Sequence, residues 1–216
     1  TTNSAPTGLD FAGPATALGV EWHSAADFLM DGLKMSASFS TDSGAAKAVT
    51  SRVENSWGLG ATYVTSAGDT ALTIGGGISG SEVAVLDTQS AADDGGFTIG
   101  VSAVTGDLTV AVGYADGDTT TGVGSNTNKQ VDADVVKAGV KYVTGDLTMN
   151  VGFVNGTAVD NIFGGTGTAE DSHEEVNASV TYAVASGVSA VLGFTTVDQS
   201  DENASSTTGG SSWYIG

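Results

Sequence analysis

The chain has 216 residues with 32 glycines and no cysteine, which excludes a disulfide framework and a thiolate metal site. Six lysine and arginine residues oppose 25 aspartate and glutamate residues, and the net charge of −19 argues against nucleic acid as a partner because phosphate binding needs a basic surface. Charged residues make up only 14% of the chain, and hydrophobic residues recur periodically, so the composition is that of a folded chain rather than an acidic disordered one.

The first predicted element is a hairpin with a weak signal. Apolar residues alternate with small or polar ones from Leu18 to Trp22, and the alternation resumes from Leu33 to Phe39 after a turn near Gly32. A period of two indicates a β-strand whose two faces differ in polarity.

Four further hairpins follow the same template. Each has an apolar residue at every second position on both sides of a short turn that contains glycine, as a tight hairpin requires. The stretch VTGDLT forms two of these turns, at Val104–Thr109 and Val143–Thr148. The predicted turns of the four hairpins lie near Gly68, Gly106, Gly145 and Gly187. Five hairpins give ten strands, and Ser211–Gly216 begins an eleventh.

The connections between hairpins are longer than the turns within them. They place short turns at one end of an antiparallel up-and-down sheet and long loops at the other. Many acidic residues lie in these segments, in Ala91–Gly96, Ala115–Gly122 and Ala169–Glu175. The predicted loops are Thr41–Ser56, Gly80–Gly95, Asp116–Asp134, Asn155–Glu175 and Asp198–Ser211.

The apolar face of the predicted strands carries aromatic residues near both ends. Two aromatic rows that flank an aliphatic band match the two interfaces of a bilayer, and the opposite face is small and polar, as in a water-filled lumen. A soluble sandwich with the apolar face inside is the alternative. The predicted aromatic girdle is Trp57, Tyr63, Phe97, Tyr114, Tyr142, Phe153, Tyr182 and Phe194.

The hairpins containing VTGDLTVAVGY, YVTGDLTMNVGF and NASVTYAVASGVSAVLGF, together with the ending GGSSWYIG, resemble the general porins of the Gram-negative outer membrane, of the alphaproteobacterial type. The resemblance implies a transmembrane antiparallel β-barrel of about 16 strands. It also implies a homotrimer in the bacterial outer membrane, in contact with the bilayer and its outer-leaflet lipid, that passes small hydrophilic solutes passively.

The number of strands departs from this resemblance. Ten strands and part of an eleventh are too few, and an odd number does not close a bacterial barrel. We therefore expect residues 1–216 to be one β-barrel domain that forms the C-terminal two-thirds of a porin. A small barrel with one more strand in Thr7–Leu18 is the alternative.

In the porin interpretation, charges that line the lumen set selectivity. The acidic loops would make the mouth negative and favour cations. Family porins place basic wall residues opposite acidic residues across the constriction. The basic candidates are Lys34, Arg52, Lys137 and Lys141, and the acidic candidates are Glu21, Asp10 and Asp27.

The sequence holds no catalytic constellation, and we expect neither an enzyme nor a bound cofactor. Asp116 and Asp118 have the spacing of a calcium loop start but lack its glycine and its glutamate, so they are at most an adventitious calcium site. The alternative function is that of a secreted, calcium-binding surface-layer or adhesin-like β protein, which would be soluble without detergent.

Overall fold

A computed structural model describes residues 18–41, 51–85, 92–123, 127–159, 170–201 and 206–216. They form one 11-stranded antiparallel sheet in which the strands lie side by side in chain order. The described part of the chain contains no helix that is long and apolar enough to cross a membrane. The strands are β1 (Leu18–His23), β2 (Leu33–Thr41), β3 (Ser51–Ala67), β4 (Thr70–Val85), β5 (Ala92–Thr105), β6 (Leu108–Val123), β7 (Thr127–Thr144), β8 (Leu147–Val159), β9 (Glu170–Ala185), β10 (Val188–Asp201) and β11 (Ser206–Ile215).

The up-and-down topology predicted from the sequence is confirmed. Every strand pairs only with its neighbours in the sequence, and β1 and β11 form the two edges of the described sheet. Leu18, the last residue of the segment proposed for an extra strand, begins β1, and the rest of that segment lies outside the described residues.

Glycine forms the tight turns where the sequence predicted them. Gly68, Gly106 and Gly145 have φ of 61°, 54° and 55°, and each is followed by an aspartate that completes a two-residue turn. Gly187 has φ of 78° and follows Ser186 in the fourth such turn. A positive φ strains any residue that carries a Cβ, which explains the glycine at each turn.

The strands extend further than the apolar alternation indicated, so the predicted long loops are wrong in extent. β6 and β7 remain paired as far as Val123 and Thr127, although Asp116–Asp134 was predicted to be a loop. Only residues 86–91 lie between β4 and β5. Strand pairing uses backbone amide and carbonyl groups, which threonine and aspartate have as well as apolar residues. Apolar alternation shows only that one face of a strand meets an apolar environment, so it ends before the strand does.

The strands are staggered as in a tilted barrel wall. Thr70 lies opposite Thr105, so two successive turns are level. Leu108 instead lies opposite Tyr142, two residues before β7 ends, and Leu147 lies opposite Tyr182, three residues before β9 ends. Such an offset in register is the stagger that accompanies strand tilt when a sheet curves towards closure.

The sheet has an apolar face and a polar face but no hydrophobic core in the described part of the chain. Ala111 is the only buried hydrophobic residue there, at 2% exposure. Large apolar side chains remain exposed, among them Leu59 at 49% and Ile99 at 55%. The soluble-sandwich alternative needs a second layer over this face, and none of the described residues provides one.

Gly32 provides a test of the turn at the end of the β1–β2 connection. Its φ is 80°, and a Cβ there would overlap the carbonyl oxygen of Val64. Gly68 also has a positive φ, but nothing lies within 4 Å of the position that a Cβ would take there. We expect Gly68→Ala to cost about 1 kcal/mol from backbone strain alone, and Gly32→Ala to cost more. Urea unfolding in detergent, followed by heat-modifiable gel mobility, measures both; equal losses would contradict the packing at Gly32.

Candidate functional site

The polar face of the sheet carries the ionisable groups that sequence analysis assigned to a lumen wall. Residues directly opposite each other in an antiparallel ladder point to the same face. By this register Lys34, Lys137 and Lys141 lie on the polar face, out of phase with Val136, Val140 and their apolar neighbours. All three lysines are exposed.

One row of the ladder brings Lys34, Lys137 and Glu175 into line. A row here means residues that lie directly opposite one another on successive strands. This row starts at Lys34 on β2 and Thr62 on β3, and its other end is Lys137 on β7, Val154 on β8 and Glu175 on β9. Two strand spacings separate Lys137 from Glu175, which is about 10 Å between backbones. Between Thr62 and Lys137 the row consists of Gly75, Gly100 and Gly113. Glycine has no side chain, so nothing projects from the polar face in this row between Thr62 and Lys137.

A hydrogen-bonded cluster on β9 and β10 adds polar groups that the sequence interpretation had assigned to a loop. His173 Nε2 lies 3.9 Å from Glu175 Oε2, and His173 Nδ1 lies 3.1 Å from Gln199 Nε2. Asn177 Nδ2 donates to Glu175 Oε1 at 3.3 Å. Extending the alternation from Val176 towards residue 170 would have placed His173 and Glu175 on the polar face.

The acidic and basic wall residues therefore lie on separate strands. Lys137 and Lys141 both belong to β7, whereas Glu175 and the buried Asp171 belong to β9. Glu21 lies on the polar face of β1, where its carboxylate is 2.7 Å from His23 Nε2. Both side chains of that pair are about two-thirds exposed, at 67% and 66%, so water screens their interaction.

The remaining candidates lie elsewhere. Asp27 is in the β1–β2 connection at the short-turn end, where its carboxylate accepts a hydrogen bond from the Gly32 amide at 2.6 Å. The backbone of Arg52 pairs with Ala84 beyond a register irregularity between Val53 and Asn55. Asp10 lies outside the described residues.

Four aspartates that were predicted to lie in an acidic loop at the mouth instead lie in strands β6 and β7. They have the same phase as the residues of the apolar face and follow the aromatic residues towards the long-loop end. Asp116 lies opposite Asp134, and Asp118 lies opposite Asp132. Tyr114 donates a hydrogen bond to Asp116 at 3.1 Å. No group of three His, Cys, Asp or Glu residues within the described ranges has the arrangement of a metal site. Asp116 and Asp118 therefore lack a third such ligand in the described structure.

A shallow cavity of about 300 Å³ lies over β4–β7 towards the long-loop end. Most of the residues that line it have polar-face phase, and they are small, so the wall there is recessed. Thr98 lines this cavity, and its Oγ1 is buried with no hydrogen-bond partner among the described residues. The small residues that line the cavity are Gly77, Ser79, Gly96, Thr98, Ala115, Gly117 and Ala133.

The predicted girdle residues all share the phase of the apolar face. Phe97 and Tyr114 are in contact, with ring centroids 5.6 Å apart. The structure adds aromatic residues that the girdle prediction omitted: Phe39 lies opposite Trp57, and the rings of Phe194 and Trp213 are 4.5 Å apart. These cross-strand pairs cover the exposed face with aromatic surface.

A sequence-family model described as Gram-negative porin matches residues 4–202. Solved structures share the fold at identities that support a likeness of fold alone. The outer membrane channel DcaP of Acinetobacter baumannii has a TM-score of 0.66 at 12% identity, covering 100% of this chain and 68% of that one. Salmonella typhi OmpF, in complex with daunomycin, has a TM-score of 0.61 at 14% identity, with coverages of 91% and 61%.

OmpT, an outer membrane protein of Vibrio cholerae, has a TM-score of 0.56 at 16% identity, and the match covers 92% of this chain and 64% of that one. The chain thus spans less than two-thirds of the length of OmpT. Comparison with curated protein sequences found no match.

Lys141 and Val140 test the assignment of the two faces, because they are neighbours with opposite phase. The sequence has no cysteine, so Lys141→Cys and Val140→Cys each introduce a single reactive thiol. In lipid vesicles we expect a charged, membrane-impermeant thiol reagent to modify Cys at position 141 rapidly and Cys at position 140 slowly, since lipid would cover the latter. Faster modification at position 140 would reverse the assignment of the faces.

Proposed function

Since the chain belongs to the Gram-negative porin family, we propose that its sheet forms part of the wall of a passive channel for ions and small hydrophilic solutes. The outer membrane is its location. The observation that carries the proposal is a sheet with an exposed aromatic and aliphatic face, a small polar face and no described core. A barrel in lipid with water inside needs that distribution.

Transport through such a wall is governed by electrostatics, and the channel is non-enzymatic. Lys34, Lys137 and Lys141 act as basic wall residues, while Glu175 and Glu21 act as acidic ones. The net charge of −19 makes the outside of the protein negative, which raises the cation concentration around the channel entrance and favours cation entry, while the field inside the channel depends on the few charged residues that face inward. The separation of lysines on β7 from carboxylates on β9 gives the wall a lateral field.

The assembled protein is a homotrimer of complete barrels, in line with what the family resemblance implies. Contacts between copies would use part of the apolar face. The four outward aspartates on β6 and β7 lie beyond Phe97 and Tyr114, where they meet the headgroups of the outer-leaflet lipid and water. The surface-layer or adhesin alternative has no support from the family match or from the related structures.

Glu175 and Glu174 are a matched pair for testing selectivity. They are adjacent and chemically identical, but Glu175 lies on the polar face and Glu174 on the apolar face. A negative unit charge about 10 Å from an ion in water is worth about 0.4 kcal/mol, which raises the local concentration of cations about twofold and lowers that of anions about twofold. In planar bilayers under a salt gradient at low ionic strength, we expect Glu175→Gln of the full-length protein to lower the cation-to-anion permeability ratio by up to about fourfold.

Glu174→Gln should leave this ratio unchanged, and Lys137→Gln combined with Lys141→Gln should raise it, because the wall then loses positive charge. The effects should be larger at low ionic strength, where screening is weaker. If all variants show stepwise openings with the same reversal potential, the protein is a channel, but these residues do not determine its ion selectivity. Protein that stays soluble without detergent and forms no openings would contradict the proposed function.

A further inference from the structure

The β1–β2 connection differs from the four tight turns at the same end of the sheet. It spans residues 24–32, whereas each tight turn has two residues, made of glycine with aspartate or serine. Its tip is the sequence Phe28-Leu29-Met30, whose side chains are 51%, 70% and 53% exposed. The other described turns at this end carry no large apolar residue.

Hydrogen bonds hold this apolar tip in a defined shape. Ser24 exchanges bonds with Met35: its amide donates to the Met35 carbonyl, and its hydroxyl oxygen accepts from the Met35 amide, both at 2.8 Å. The amides of Asp27 and Phe28 both donate to the Leu33 carbonyl. The Leu33 amide donates to the Met30 carbonyl at 3.1 Å. The Gly32 carbonyl accepts from Val64 on β3 at 2.9 Å. The apolar side chains are thus presented from a braced turn.

The tip is continuous with the lipid-facing surface. Trp22 lies on the apolar face of β1, opposite Ala37, and is 44% exposed. The Phe28 ring packs edge-on against it, with centroids 5.5 Å apart and planes at 76°. Phe28 therefore extends the aromatic surface of the barrel past the end of β1 on the lipid side. An aromatic and aliphatic tip at this level suits the interfacial zone of a membrane.

We propose that Phe28, Leu29 and Met30 form an apolar foot that inserts into the bilayer interface at the short-turn end, which in outer-membrane barrels is the periplasmic leaflet. The foot anchors β1 against the lipid, while Asp27 and Asp31 remain among the headgroups. The proposal rests on the outer-membrane location and not on the channel's selectivity.

Single labels test the foot in the full chain. Leu29→Cys and Asp69→Cys each receive an environment-sensitive fluorophore; Asp69 is exposed in the β3–β4 tight turn and serves as the polar control. Both variants are reconstituted in phosphatidylcholine vesicles that contain acyl-brominated lipid. We expect several-fold stronger quenching by the brominated lipid at position 29, and stronger quenching by aqueous iodide at position 69. Both variants should keep heat-modifiable gel mobility, which reports a folded barrel.

Equal iodide quenching at the two positions would overturn the proposal, because the tip would then lie in water. Protection from both quenchers that disappears when oligomers are dissociated would also overturn it, by assigning the tip to a contact between copies. As a second measurement, Leu29→Ser with Met30→Ser should lower the thermal stability of the protein in vesicles more than in detergent micelles. An equal loss in both media would indicate a purely structural turn and would contradict insertion.

Discussion

Pairing of the backbone is the constraint on which this structure depends. A strand that crosses a membrane has no water available for its amide and carbonyl groups, so each must bond to a neighbouring strand. The described chain meets this demand with continuous antiparallel ladders from β1 to β11. Side chains then need not build a core, which explains why only Ala111 is a buried hydrophobic residue in the described structure.

Because the side chains of the described residues form no hydrophobic core, their polarity follows the medium that each face of the sheet meets, which is lipid on one side and water on the other. Valine, leucine, isoleucine and aromatic residues take the lipid face, where aromatic pairs such as Phe97 and Tyr114 mark the interface. Glycine and small polar residues take the other face and leave room for water and a few charges. Beyond Tyr114 the outward phase changes to Asp116, Asp118, Asp132 and Asp134, which indicates that the strands have left the hydrocarbon.

The same division separates residues that are adjacent in sequence. Glu174 and Glu175 meet different surroundings although they are chemically identical. Acidic residues counted from composition are therefore a poor measure of the field inside the channel, because strand phase directs many of them outward. The few that face inward, with the lysines of β7, carry the electrostatics that we propose.

The sequence by itself determined the strand phases and the glycine turns, because period-two alternation and positive-φ glycine are local properties. Gly68, Gly106, Gly145 and Gly187 are examples. The family followed from the resemblance to porins and from the family model that matches residues 4–202. Register and strand length were decided only by the tertiary structure, because the stagger between strands depends on tilt and curvature of the whole sheet. That stagger aligns Lys137 with Glu175, and the fold of the β1–β2 connection places Phe28 on Trp22.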